Sequence, residues 1–123
     1  RVEEKDMQLL FTAGTVLNLM DQETYEQITI EGSLLGDALK FVKDEMILKV
    51  YFDEGNPIMA EAPNHVVLEI TYSEPGIKGD TATNTLKPAT LETGAEVSVP
   101  LFVESGEKIR VDTRTGEYVE RVK

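Results

Sequence analysis

Lys87-Pro88-Ala89-Thr90-Leu91-Glu92-Thr93-Gly94-Ala95-Glu96-Val97-Ser98-Val99-Pro100-Leu101-Phe102-Val103-Glu104-Ser105-Gly106 is the most informative stretch of this 123-residue chain. It reads as two strands and their punctuation. Val97 and Val99 alternate with Ser98, so both valines fall on one face of a strand. Pro100 has no N–H to give to a ladder, so that strand stops, bulges or lies on an edge there. Gly94 and Gly106 sit where turns are expected. Physics alone carries this stretch as far as a segment of a β-barrel or sandwich, with Val97, Val99, Leu101, Phe102 and Val103 assigned to its core.

The flanking sequence extends the β pattern in both directions. Downstream, residues 107–112 and 117–122 flank Thr113-Arg114-Thr115-Gly116, which predicts a hairpin with glycine at the strained position. Upstream, Val66, Leu68 and Ile70 share one face of a strand over 65–72. A long polar loop rich in Gly and Thr follows, over 73–84, and a strand over 85–91 leads into the opening stretch. Ala62-Pro63-Asn64 punctuates the chain and sets a boundary between residues 1–62 and 63–123. In the first half, 7–11 and 15–20 read as a hairpin, and 25–30 as a third strand. Leu34, Leu35, Ala38, Leu39 and Val42 recur at helical spacing, with Ser33 as a candidate cap. That helix is short and contains Gly36, so packing must hold it. A strand over 46–52, a turn at Asp53-Glu54-Gly55-Asn56 and a return over 57–60 complete an OB-like order. The second half is not a close sequence repeat of the first.

Composition narrows the function classes. The chain carries 41% hydrophobic and 28% charged residues, which suits a soluble globular protein. No apolar run approaches the roughly 20 residues that a membrane-spanning helix needs, and no signal-peptide pattern opens the chain. Cysteine is absent, which excludes disulfide and thiol chemistry and fits a cytoplasmic location. The net charge of −11 argues against simple electrostatic adhesion to nucleic acid. It is uneven: −8 over residues 1–62, −3 over 63–123, and +1 from 106 onward. Any polyanion contact should therefore favour the second half.

Catalysis finds little support. His65 is the only histidine, so it would have to be the base of any Ser-His-Asp arrangement. It stands beside Pro63-Asn64 at a strand start, where a surface role is expected. No carboxylate pair lies in an apolar setting that would raise a pKa. Metal ligation lacks His and Cys clusters, and Gly79-Asp80-Thr81 with Asn84 lacks the carboxylate density of a Ca²⁺ loop. No enzyme activity, cofactor, metal or small-molecule substrate is expected.

Contact residues are better represented. Gly79, Asp80, Thr81, Ala82, Thr83 and Asn84 offer hydroxyls and backbone N–H groups of the kind that meet phosphate or 2′-OH. Lys87, Arg110, Arg114, Tyr118 and Arg121 add cations and an aromatic ring, since Arg forks onto phosphate and Tyr stacks on bases. Alternation along Lys108-Ile109-Arg110-Val111 sends the bases to one face. The bland alternative for each group is a solvated loop or hairpin.

A family resemblance runs through these residues. Lys87, Ala89, Gly94, Val97, Val99, Pro100, Val103 and Gly106 fall at the spacing of the signature of bacterial elongation factor P. Glu74-Pro75-Gly76-Ile77-Lys78-Gly79-Asp80-Thr81-Ala82-Thr83 before it and Val111-Asp112-Thr113-Arg114-Thr115-Gly116-Glu117-Tyr118-Val119 after it agree. So do Met7-Gln8, Met20-Asp21, Glu23-Thr24-Tyr25-Glu26-Gln27, Gly36-Asp37-Ala38-Leu39-Lys40-Phe41 and Glu54-Gly55-Asn56-Pro57-Ile58. The sequence thus resembles the second and third domains of that family, and an elongation factor P-like paralogue shares much of the pattern. The resemblance implies a mainly β fold of two tandem OB-fold β-barrels, the first with one short α-helix. It implies a cytoplasmic, monomeric translation factor with no membrane partner. Such a factor binds the ribosome, with small-subunit, tRNA and peptidyl-tRNA contacts, and stimulates peptide bond formation at polyproline stalls. It also implies that the loop at 79–84 points toward the small subunit. The chain begins with Arg1, and the family's first domain, with its commonly modified loop lysine, is expected to be missing from it. The competing class is an acidic, non-catalytic OB-type binding module for a basic protein partner.

Overall fold

Alternating apolar and polar side chains build the first half into five antiparallel strands: β1 (Val2–Ala13), β2 (Val16–Asp21), β3 (Gln27–Glu31), β4 (Ile47–Asp53) and β5 (Asn56–Glu61). A 3-10 helical segment, Gly32–Phe41, joins β3 to β4. The second half holds β6 (His65–Ser73), β7 (Leu86–Leu91), β8 (Glu96–Pro100), β9 (Lys108–Asp112) and β10 (Glu117–Val122). This computed structural model describes residues 1–75 and 86–123. Contacts divide the chain into two units, Arg1–Pro63 and Asn64–Lys123. The strand orders are β3-β2-β1-β4-β5 in the first and β10-β9-β6-β7-β8 in the second. Numbered from its own first strand, each unit has the same order, that of a curled OB-type half-barrel.

The inward faces follow from the period of two. In the first unit Met7, Leu9, Leu17, Leu19, Ile30, Leu48, Val50 and Phe52 form one buried cluster, closed by Leu35 from the helical segment. In the second, Leu68, Ile70, Leu91, Val99, Val103, Ile109 and Val111 are nearly or fully inaccessible. Proline placement obeys the ladder. Pro100 ends β8, an edge strand. Pro88 lies in the central strand β7, but β6 pairs with β7 only from Ala89 onward, so no ladder bond to β6 is lost.

Four differences from expectation have physical causes. β1 starts at Val2, five residues before the apolar run. Glu3, Glu4, Lys5 and Asp6 pair with β4, but most of their side chains face solvent, so no apolar alternation marks them. The helical segment is 3-10 and not α, because Gly36, at φ 62° and ψ −140°, breaks it into two short turns. Ser33 does not cap it. Glu31 precedes it without a side-chain capping bond, and the Gly32 N–H is taken by the Thr15 carbonyl at 2.7 Å. Phe102, assigned to the core, is 59% exposed. Pro100 ends the strand before it, so alternation no longer governs its direction.

Gly32 is a point of close approach. A Cβ there would lie 3.0 Å from the Thr15 carbonyl oxygen and 3.0 Å from Leu39 Cδ2. Gly32→Ala is expected to lower stability by about 1–3 kcal/mol, the usual range for overpacking. The measurement is the urea midpoint, and an unchanged midpoint would show that this contact constrains nothing.

Candidate functional site

The β9–β10 hairpin carries four of the sequence-predicted contact residues, and the way the strands pair decides what each can do. Ile109 and Val111 fill the core, so Arg110 between them is turned outward. It meets the Glu120 carboxylate across the ladder, where Glu120 is its register partner. The turn is closed by the Gly116 N–H donating to the Asp112 carbonyl at 2.7 Å. Asp112 then organises the turn residues. Its Oδ1 accepts from the Arg114 backbone N–H at 2.8 Å and from Arg114 Nε at 3.2 Å, and its Oδ2 accepts from Arg114 Nη2 at 2.9 Å. The guanidinium bonds and then the backbone bond hold the Asp112 carboxyl at about 2, well below the ordinary 3.8. His65 Nε2 lies 3.7 Å from Asp112 Oδ2. Arg121 donates to Glu107 Oε2 at 3.3 Å, and its guanidinium stands over the Phe102 ring, 4.7 Å from the centroid.

The hairpin therefore gathers Arg110, Arg114, Tyr118 and Arg121, with each guanidinium already facing a carboxylate. Surface pairs of this kind each stabilise little. Tyr118 is half-buried and lines a cleft of about 580 Å³ with Leu86 and Pro88.

Lys87 is placed elsewhere and differently. Its side chain is 7% exposed, its Nζ donates to the Glu74 carbonyl at 2.6 Å, and it pairs with Glu104 Oε1 at 3.3 Å. Beside it, Ser105 Oγ accepts from the Ser73 backbone N–H at 2.8 Å and donates to the Ser73 carbonyl at 3.3 Å. Lys87 and Ser105 thus tie the end of β6 to the rest of the unit. The other predicted contacts, Gly79, Asp80, Thr81, Ala82, Thr83 and Asn84, lie outside the described residues.

Sequence reasoning missed Phe102 as a surface aromatic and Leu86 and Pro88 as cleft residues. The strand break at Pro100 was the available signal for Phe102. Nothing local marks the cleft, because it forms between strands far apart in sequence. A second turn, in the first unit, is also more ordered than its sequence suggests. Asp21 Oδ1 accepts from the N–H groups of Glu23, at 2.8 Å, and Thr24, at 3.3 Å. The Glu23 bond first of all lowers the Asp21 pKa. This turn presents Tyr25, 70% exposed and at φ 64°. Among the described residues, no group of three or more His, Cys, Asp or Glu side chains is placed to hold a metal ion. No helix among them is long and apolar enough to cross a membrane.

Two successive half-barrels of OB order, the second carrying an arginine-bearing hairpin, define a tandem OB-type β protein. Residues 2–60 match the family model described as the elongation factor P (EF-P) OB domain, and residues 66–121 match the one described as elongation factor P, C-terminal. Elongation factor P of Clostridium kluyveri is 56% identical over 121 residues, 98% of this chain and 65% of its own length. Those of Acetivibrio thermocellus, at 55%, and of a Clostridium botulinum type B strain, at 54%, align over the same shares. The chain belongs to the elongation factor P family, and it spans about 65% of the length of these relatives.

Two measurements check the site geometry. Lys87→Met keeps the aliphatic stem and strands the Glu74 carbonyl, so a stability loss of about 1–3 kcal/mol is expected. A variant of unchanged stability would make Lys87 an ordinary surface cation. Because folding depresses the Asp112 pKa, its contribution is present above the unfolded value near 3.8 and is lost as pH falls toward 2. The Tm gap between the native chain and Asp112→Asn should be widest at neutral pH and close as pH drops through that window. A gap independent of pH would contradict it.

Proposed function

We propose that this chain is the ribosome-binding part of a translation elongation factor that stimulates peptide bond formation at polyproline stalls. The observation that carries the reading is that each unit matches a different domain of one family, in the family's order, over nearly the whole chain. The factor is not an enzyme in this reading. The ribosome supplies the chemistry, and the protein supplies shape and placed contacts beside the peptidyl-tRNA. It works as a monomer in the cytoplasm, without a cofactor.

The contacts proposed are the loop Gly79, Asp80, Thr81, Ala82, Thr83 and Asn84 toward the small subunit, and Arg110, Arg114, Tyr118 and Arg121 on the hairpin. The charge pattern favours fit over bulk electrostatic attraction. A chain of net charge −11 gains little from counterion release, and its hairpin arginines are balanced by Glu120, Asp112 and Glu107. Association should then be weak and only moderately salt-sensitive. Lys87 enters through the fold, by fixing Glu74 at the end of β6.

In the family this chain resembles, a preceding domain carries the loop lysine that reaches the peptidyl-transfer centre. The 123-residue chain alone is therefore expected to pellet weakly with purified ribosomes and to leave polyproline synthesis unrescued in a reconstituted translation assay. Full rescue by this chain would overturn the division of labour. Absence of ribosome association even for the full-length parent would overturn the translation reading itself.

A further inference from the structure

The second unit ends in two edge strands that are not bonded to each other. Among the described residues, β8 is paired only with β7, and β10 only with β9. The two strands nevertheless come together, and the hairpin end at Glu117 and Tyr118 walls the cleft beside β8. In the first unit the helical segment packs on the edge strand β5. Among its described residues the second unit has no helix to do the same for β10.

The cleft combines three properties. One wall is β8, an edge strand whose outer side offers N–H and C=O groups to an added strand. It offers an apolar contact surface from Leu86, Pro88 and the Tyr118 ring. It carries the carboxylates of Glu96 and Glu117 and, among the described residues, no cation. Neither glutamate is held in an ion pair among the described residues, in contrast to Glu120, Asp112 and Glu107, which hold Arg110, Arg114 and Arg121.

We infer that the β8–β10 cleft is a docking site for an extended, lysine- or arginine-bearing protein segment, which adds as a strand to β8. Its cationic side chains meet Glu96 and Glu117, and its aliphatic stems lie against Tyr118 and Leu86. The carboxylates decide against RNA as occupant, because a phosphate backbone entering here would face the negative charges of Glu96 and Glu117. The inference shares Tyr118 with the ribosome reading and does not otherwise rest on it. It concerns a different face of the hairpin's chemistry, the carboxylates rather than the arginines, and it can fail while ribosome association holds.

The test uses the 123-residue chain and a fluorescent peptide of alternating Lys and Val, eight residues long. Anisotropy gives the affinity, and amide shifts of the labelled protein give the location. The expected result is salt-sensitive binding, with shifts concentrated at residues 96–99 and 117–119. Glu96→Gln/Glu117→Gln should weaken it roughly tenfold, while Glu23→Gln/Glu26→Gln in the first unit leaves it unchanged. A peptide with Pro in place of Val keeps the charge but loses every second N–H and fixes φ at about −65°, away from the β-strand, and should lose most of the affinity. The docking site is overturned by shifts spread over the acidic surface. Equal binding of the proline peptide overturns strand addition. Tighter binding of a single-stranded RNA octamer at the same amides overturns the choice of a protein segment.

Discussion

Each unit depends on a first strand that is used twice. β1 pairs with β4 through Val2–Gln8 and with β2 through Met7–Ala13. β6 pairs with β9 from His65 to Glu69 and with β7 from Ile70 to Ser73. A flat strand cannot serve two partners that curl around a core, so each is kinked by a register shift where one pairing gives way to the other, between Leu9 and Phe11 and between Ile70 and Tyr72. The same bonds secure both hand-overs. Leu9 N–H donates to the Met46 carbonyl, and the Leu9 carbonyl accepts from Glu45 N–H. Ile70 does the same with Glu107 and Gly106. Glu45 and Gly106 both sit at positive φ, 78° and 90°. A tight entry into the fourth strand of each unit requires that conformation.

That equivalence explains how far the sequence could be read. Strand positions were legible because burial alternates with period two, as along β4, where Leu48, Val50 and Phe52 face inward. The first residues of β1 were not, because two glutamates, a lysine and an aspartate give no such contrast. Gly106 announces its turn. Glu45 occupies the equivalent place and announces nothing, since its backbone conformation is imposed by Leu9 and the start of β4 at a cost of about 1–2 kcal/mol. Tyr25 and Gly94 form a second such couple, both at positive φ where the second strand turns toward the third. One fold is thus written twice with different residues, and its internal repetition is visible only in the bonds.

The candidate site shows a matching split. Arg110, Arg114, Tyr118 and Arg121 could be placed on one hairpin from the turn at Thr113–Gly116 and the alternation of β9. Their partners could not. In sequence, Asp112 beside the turn is equally compatible with capping it and with facing solvent, and Glu107 and Glu120 are charges among many in an acidic chain. Lys87 shows the limit most clearly. By composition it is a cation in a polar neighbourhood, and by position it alternates with Pro88 and precedes Ala89, whose side chain is buried. What the sequence does not display is that the Lys87 amine is buried too, and once buried it needs acceptors, which Glu74 and Glu104 supply.

In the proposed reading, this arrangement bears on how an acidic protein meets a polyanion. Placing each guanidinium against a carboxylate removes the long-range attraction that would hold the chain on any RNA, and leaves short-range hydrogen bonding available where geometry brings phosphate close enough to displace the carboxylate. Selectivity then comes from fit, since only a surface that presents several such exchanges at once repays the separation of each pair. Glu96 and Glu117 of the β8–β10 cleft, which face no cation among the described residues, lie outside this balance, on a sheet edge with no further bonded strand among those residues. Among the described residues, charge is thus divided over one hairpin and its neighbouring edge, with the arginines held in pairs and two acids facing no cation. In the two proposed readings, a single small half-barrel presents surfaces of opposite preference without either annulling the other.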